Sequence, residues 1–381
     1  MPVDNITMII CALLLLLAAV TPFVNPFFRK PEEKSGNGCD REGLPPLSVV
    51  IYARDNAREL KANLPSLLSQ AYPPGFEVIV VVDDKTEHET TAVLEQYGMH
   101  PNLYKTFLPK SSRYMSRRKL AITIGVKAAK NEWIVLTDAE CRPLSDKWLA
   151  TMARNCSEDI NLVIGYSNYS AEAKSYRRFE RLRDEMYCMR SAEKGTAWRT
   201  AGNNLMFRKS EFMECRGFEG NLKYLRGEYD FIVNKYAKEG GTAVETSPEA
   251  WLEEVAPTKK AWKNRHLFYN ENRRHLARSC RQTLLYAADM CSMYINAAAI
   301  IAAAVYSYVA GNIVVAAAAL VALVITVVLR TVIAGRVAER FGAGIGRNSI
   351  VFHEAALLLN DIKYGILYRL ADKNDFTSHK I

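Results

Sequence analysis

Three stretches without charge constrain this chain more than anything else in it. Residues 6–24, 290–310 and 313–329 contain no Asp, Glu, Lys or Arg. A helix gains about 1.5 Å per residue, so runs of roughly 20 residues reach across a hydrocarbon core of about 30 Å. The rest of the chain is rich in charge, and the mean hydropathy of −0.10 averages the two kinds of segment. That mixture excludes a disordered or collagen-like chain and a transporter with most of its length in lipid.

The flanks orient the runs. A cleaved signal peptide needs a basic leader, but residues 1–5 carry only Asp4, and the basic pair Arg29 and Lys30 follows the run. Positive charge stays on the cytoplasmic side, so the first run reads as an uncleaved anchor with its N-terminus outside. Gly311 and Asn312 join the other two runs as a turn. Arg273, Arg274, Arg278 and Arg281 precede that pair, and Arg330, Arg336 and Arg340 follow it. Both ends of the pair are therefore expected in the cytoplasm. A buried helical hairpin is the competing reading, because alanine-rich runs are weakly apolar. The expected division is an anchor over 1–28, a linker over 29–46 and a soluble domain over 47–276. A basic juxtamembrane segment over 277–289, a membrane hairpin over 290–335 and a tail over 336–381 complete it. In the tail, Val351, Ala355, Leu358, Ile362 and Ile366 fall at helical spacing. Such a helix either lies on the membrane surface or packs on the soluble domain.

Eight cysteines form no Cys-x-x-Cys pair, which argues against zinc and against a disulfide framework, and for a reducing compartment. The soluble stretch alternates strand-like and helix-like segments. Strands are expected over 47–52, 76–82, 103–108 and 133–136, and helices over 58–68, 90–97 and 119–129. This alternation predicts an α/β fold with a doubly wound, mostly parallel sheet. Ligands of such sheets sit at the C-terminal ends of the strands, where Asp83, Asp84, Asp138 and Glu140 fall. Asp138-Ala139-Glu140 puts two carboxylates one residue apart on a turn, a spacing that suits a hard cation with positions left for phosphate oxygens. A solvated turn is the bland reading. Lys105, Lys110, Arg113, Arg117, Arg118 and Lys119 form a basic run without an acid, open to phosphate contact or to solvent alike.

In order along the chain, these pieces resemble the family 2 glycosyltransferases of GT-A fold, in their membrane-anchored bacterial form. Ser48-Val49-Val50-Ile51-Tyr52-Ala53-Arg54-Asp55-Asn56 is similar to the first strand and nucleotide loop, and Val81-Val82-Asp83-Asp84 to the second strand. Lys119-Leu120-Ala121-Ile122-Thr123-Ile124-Gly125 resembles the K-x-A-L-N-x-G helix, and Thr137-Asp138-Ala139-Glu140-Cys141 the D-x-D turn. Ala201-Gly202-Asn203-Asn204-Leu205 resembles the acceptor-side segment, and Gly227-Glu228-Tyr229-Asp230 the region of the catalytic base. Glu271-Asn272-Arg273-Arg274-His275 is similar to a divergent Q-x-x-R-W signature, with Arg265-His266 as a second match to its end.

The resemblance implies an inverting glycosyltransferase. Asp138 and Glu140 would hold Mg²⁺ or Mn²⁺. Arg54, Asp55, Asp84, Lys119, Asp138, Arg274 and His275 would line the site of a UDP- or GDP-linked donor. Gly202, Asn203 and Asn204 would face the acceptor, and Asp230 or Glu228 would take the acceptor proton. Trp198 and Trp262 either stack on an acceptor sugar or belong to the core. The altered Q-x-x-R-W signature implies transfer of single sugars rather than processive synthesis. The expected acceptor is lipid-linked or a glycan, met at the cytoplasmic face of the inner membrane. A processive synthase and a catalytically silent scaffold of the same fold are the alternatives. The net charge of +9 fits this reading without nucleic acid. Residues 257–289 alone hold eight basic and two acidic side chains, an excess of six that suits anionic membrane lipid.

Overall fold

The computed structural model describes residues 4–29, 31, 43–83, 88–109, 116–193 and 195–377. Asp84, Lys110, Arg113 and most of the expected linker lie outside them. Helix α1 (Asn5–Val24) is capped by Asp4, whose carboxylate accepts from the Thr7 amide at 2.9 Å. The alternating segments follow as β1 (Leu47–Ala53), α2 (Ala57–Leu68), β2 (Phe76–Val82), α3 (His88–Gln96), β3 (Leu103–Phe107), α4 (Arg117–Ala128) and β4 (Trp133–Asp138). Next come β5 (Cys141–Pro143), α5 (Trp148–Ala153), β6 (Leu162–Gly165), β7 (Ser167–Tyr169), α6 (Ser175–Glu193) and β8 (Leu205–Arg208). After these stand α7 (Lys209–Glu214), α8 (Glu228–Tyr236), β9 (Thr242–Glu245), β10 (Leu252–Glu254) and α9 (Lys259–Asn272). The long helices α10 (Cys280–Ala310), α11 (Ile313–Arg340) and α12 (Arg347–Leu370) complete the order.

The chain divides into two compact units. One comprises Met1–Lys30, Ser175–Tyr187 and Arg278–Lys363, the other Pro31–Lys174, Cys188–Ala277 and Tyr364–Ile381. The second unit is built on a seven-stranded sheet of order β3-β2-β1-β4-β8-β6-β9. β3, β2, β1 and β4 run parallel, as the alternation predicts, and β8 enters antiparallel between β4 and β6. β2 and β4 flank β1 on opposite sides, so the chain reverses its direction of winding there and leaves a crevice beyond the strand ends. Tyr52 on β1 stands beside Asp138 on β4 in register. A smaller sheet, β5-β10-β7, brings Glu254 opposite Cys141.

The β-branched strands are buried on both faces. Val49, Ile51, Val78 and Val80 join the core that contains Leu60, Leu64 and Trp148. On the opposite face α4 lies close over β1 and β2, and Gly125 is the reason. A Cβ built there would come within 2.4 Å of Val50 Cγ1 and 3.3 Å of Val81 Cγ2.

In the other unit α1, α10 and α11 are long and apolar enough to cross a membrane, as the charge-free runs predict, which suggests a membrane protein. Leu14, Ala18, Ala303, Val315, Ala319 and Ala322 form their shared contact, and small side chains of this kind let helix backbones approach. Gly311, at φ +63°, turns α10 into α11. The Asn312 amide donates to Thr7 Oγ1 at 2.9 Å. Arg330, read from sequence only as a flanking charge, is buried. It pairs with Glu354 at 2.8 Å and donates to the Thr21 carbonyl at 3.1 Å. Asp289 pairs with Arg183 and lies 3.6 Å from Arg330. The helix expected in the tail is α12. Its residues beyond Lys363 belong to the second unit, where Tyr364 stacks on His266 at 4.0 Å and Phe376 meets Phe268 at 5.3 Å.

The Gly125 contact makes a direct prediction. Gly125→Ala forces α4 off the sheet and destabilises the protein by about 1–3 kcal/mol. Denaturant unfolding of the full chain in detergent checks this, and an unchanged midpoint contradicts it.

Candidate active site

The C-terminal end of β4 gathers a set of chemistry-bearing side chains. Asp138, 14% exposed, accepts hydrogen bonds on Oδ1 from the Arg118 guanidinium and from the Tyr229 hydroxyl at 3.0 Å. Arg118 stands in the first turn of α4, which Ser116 caps through the Lys119 amide at 3.2 Å. Its Nε lies 3.8 Å from Glu228 Oε2. Glu228 is buried, and its Oε1 has no hydrogen-bond partner among the described residues. Glu228 and Tyr229 open α8 directly after Gly227, whose φ of +95° is a conformation suited to glycine. A Cβ at Gly227 would also come within 2.5 Å of Asn272 Nδ2. Burial and the Asp138 charge hold the Tyr229 phenol well above its ordinary range, so it stays a donor.

Glu140 faces outward from the turn after β4. Desolvation by the surrounding protein, then the charges of Asp138 and Glu254, push it up to about 7, although part of the side chain still meets solvent. Asp138 and Glu254 thus lie near enough for their charges to act on Glu140, and Arg118 is paired with Asp138. Among the described residues no three of His, Cys, Asp and Glu converge as a complete metal shell. Two hard oxygen donors on one turn, short of positive charge, nonetheless fit a divalent ion that takes its remaining ligands from a phosphorylated substrate.

The neighbouring strand ends supply a second group. Arg54 and Asp55 follow β1, with Asp55 in the left-handed region at φ +53°. Arg54 Nε lies 3.5 Å from Asp83 Oδ2, and Arg117 donates to both the carboxylate and the carbonyl of Asp83.

Several expected residues are engaged elsewhere. Lys119 is fully buried, with its amine donating to the carbonyls of Asn221, at 2.8 Å, and Tyr224. The amine also lies 4.8 Å from the Phe231 ring. Arg274 donates to the Tyr368 hydroxyl at 3.1 Å, while His275 sits 3.0 Å from Glu271 and stacks on Tyr224 at 4.3 Å. Arg265, the other match to the signature, donates to the Ala201 carbonyl at 2.7 Å and to the Tyr169 hydroxyl. His266 Nδ1 lies 2.8 Å from the Trp262 carbonyl.

On the acceptor side, Asn204 is spent inside the fold. It accepts from Trp148 Nε1 at 3.1 Å and donates to the carbonyls of Tyr166 at 3.1 Å and Ala250 at 2.8 Å. Asn203 is half-buried, and its amide points at Cys141 Sγ, beside the Asp138–Glu140 turn. Gly202 is buried, with its amide on Thr200 Oγ1 at 3.4 Å. Trp198 and Trp262 are both buried, which favours the core alternative for them.

The profile of glycosyl transferase family 21 matches residues 14–371. The chain belongs to glycosyl transferase family 21. The GT-A resemblance and the α/β fold class read from the ordered motifs are both borne out. The mannosyltransferase PcManGT of Pyrobaculum calidifontis, solved in complex with GDP-Man and Mn²⁺, is similar with a TM-score of 0.53 at 18% identity. That likeness covers 93% of this chain and 99% of the other, and at such identity it bears on the fold alone. TarS of S. aureus, solved over residues 1–349 with UDP-GlcNAc, is similar at 14% identity over 67% of this chain and 66% of its own. Its TM-score of 0.41 carries no argument. The O-antigen biosynthesis protein RfbC of Myxococcus xanthus is 29% identical over 107 residues, which is 28% of this chain. The chain spans 8% of that relative's length.

Sequence reasoning missed three residues of this cluster. Arg118 is one basic residue among six in sequence, Tyr229 stands between the two candidate bases without a role of its own, and Glu254 has none. Arg118 lies four and seven residues before Ile122 and Gly125, and Lys119 three and seven before Ile122 and Val126, so helical spacing alone does not say which of the two joins the buried face of α4.

Burial pulls the Lys119 amine down to about 8 from its ordinary 10.5, against the opposing pull of Glu228. Its folded pKa lies below the unfolded value, so the unfolded chain binds more protons between those pH values. The Lys119 contribution to stability therefore rises with pH from about 8 to 10.5. Melting of wild type and Lys119→Met across this window checks the sign. The difference between them should shift in favour of wild type as pH rises, and a parallel pair of curves contradicts the burial argument.

Proposed function

We propose that this glycosyltransferase moves single sugars, with inversion, from a UDP- or GDP-linked donor to a lipid-linked or glycan acceptor at the cytoplasmic face of the cell membrane. The observation that carries the reading is the meeting of Asp138, Glu140, Arg118, Tyr229 and Glu228 beyond the end of β4. Asp138 and Glu140 would hold Mg²⁺ or Mn²⁺, which when bound supplies Lewis-acid stabilisation of the departing diphosphate. The Mn²⁺ and GDP-Man found with PcManGT support a divalent ion and a nucleotide-sugar donor.

The side chains divide the remaining work. Tyr229 fixes the Asp138 carboxylate. Arg54 and Asp55 border the nucleotide, and Asp84, which lies outside the described residues, is assigned to the nucleobase by its second-strand motif alone. Glu228 takes the proton from the acceptor hydroxyl as the new bond from its oxygen to the anomeric carbon forms. The bond from that carbon to the phosphate oxygen breaks, and the nucleoside diphosphate leaves with its electron pair. Glu228 is preferred to Asp230 because it shares Arg118 with Asp138 and one of its oxygens has no partner among the described residues. Gly202 and Asn203 face the acceptor. Lys119, Arg274 and His275 position the segments around the donor, since their polar atoms are engaged within the fold.

Single transfer is supported by the altered signature, where Glu271 and His275 stand in place of Gln and Trp and bond to each other at 3.0 Å. The apolar helices tether the domain at both of its ends in sequence, and the basic excess over 257–289 favours the cytoplasmic side and anionic lipid.

A screen of UDP- and GDP-sugars with Mn²⁺ or Mg²⁺, read as released nucleoside diphosphate, tests the reading. Asp138→Ala abolishes turnover, and Glu228→Gln lowers it by about 10²–10⁴-fold. Loss in Asp230→Asn with Glu228→Gln near wild type moves the base to Asp230. Absence of both turnover and metal-dependent nucleotide binding contradicts the enzyme reading. A reporter fused after Ile381 reads cytoplasmic, and an external signal contradicts the topology.

A further inference from the structure

We infer that Arg118 is a resident cation on the metal-binding carboxylate, and that it opposes entry of a divalent ion unless a nucleoside diphosphate arrives with it. The inference rests on the assignment of Asp138 and Glu140 to the metal. Arg118 and Tyr229 both donate to the same oxygen, Asp138 Oδ1, so that oxygen already has its two partners. Around Asp138 stand Glu140, Glu254 and Glu228, and Arg118 is the cation whose contacts reach two of the four carboxylates.

The hold on Arg118 is uneven. Toward Asp138 it is a close hydrogen-bonded pair. Toward Glu228 it is an ion pair at 3.8 Å, in which Arg118 Nε and Glu228 Oε1 are both buried without hydrogen-bond partners among the described residues. The backbone of its turn is fixed by the Ser116 cap, whereas the side chain is 20% exposed. Motion of the side chain alone thus releases Asp138. An ion bound by Asp138 would face the guanidinium across the same carboxylate and weaken its one well-made contact, leaving it half-buried and poorly paired, which is costly. A diphosphate removes that cost by offering the guanidinium a bidentate partner. Ion and nucleotide are then coupled through one arginine, and by linkage each raises the affinity of the other by the same factor.

The experiment measures free Mn²⁺ by electron paramagnetic resonance with the full chain in detergent, first alone and then with GDP or UDP. Arg118→Met should bind Mn²⁺ alone at least about fivefold more tightly than wild type, and the gain on adding nucleotide should shrink by a similar factor. Arg118→Lys keeps a charge and retains part of the coupling. A merely structural role predicts the opposite, weaker or unchanged Mn²⁺ binding in Arg118→Met, and that result overturns the inference. Should Arg118→Met fail to fold, Arg118→Gln is read in the same way. The two layers separate cleanly. Wild type that binds no Mn²⁺ even with nucleotide sinks the metal site itself. Wild type that binds it with nucleotide, beside an Arg118→Met without gain, sinks only the role given to Arg118.

Discussion

Negative charge gathered at the end of β4 is the constraint on which the rest of the second unit depends. Asp138 and Glu140 share one turn, Glu228 and Glu254 come from two other segments, and Arg118 reaches Asp138 and Glu228 from a fourth. That reach begins with packing. Gly125 lets α4 settle on Val50 and Val81, which fixes the height and rotation of its first turn. Lys119 then points inward and holds the carbonyls of Asn221 and Tyr224. Gly227 turns the chain after that segment, and α8 begins with Glu228 and Tyr229 facing Arg118 and Asp138. A methyl group at Gly125 or Gly227 would disturb the same few carboxylates from opposite sides.

Much of this was legible in the sequence, for physical reasons. Buried parallel strands read as runs of Val and Ile, so β1, β2 and β4 stood out, and the acids after them marked the crevice. The apolar spans were legible because a stretch without charge has few soluble uses. Roles inside the site were less so. Lys119 and Arg118 are adjacent in sequence but separated by about 100° around a helix, and only the packing of α4 decides which one enters the core. Asn204 looked like a polar group awaiting a ligand. Its three hydrogen bonds go to Trp148, Tyr166 and Ala250, partners far away in sequence. Glu254 was invisible because the small sheet that brings β10 beside β5 joins segments more than a hundred residues apart.

The apolar unit solves a related problem with different means. Its helices meet through alanines, and its buried charges are paired. Arg183 with Asp289 and Arg330 with Glu354 bind α6, α10, α11 and α12 together. Pairs like these add little net stability over apolar packing, yet breaking one partner leaves a buried charge and is strongly destabilising. They restrict how the helices assemble. Arg330, expected from sequence as a flanking charge, is the partner that fixes its neighbours.

The central claim is that the end of β4 is where a divalent ion and the donor diphosphate meet. The most direct measurement is an anomalous difference map from crystals of the full chain grown with Mn²⁺ and GDP or UDP. The account predicts one peak at bonding distance, between about 2.0 and 2.6 Å, from both Asp138 and Glu140, with phosphate oxygens on its open side. A peak away from these carboxylates, or nucleotide bound there with no ion, would contradict it.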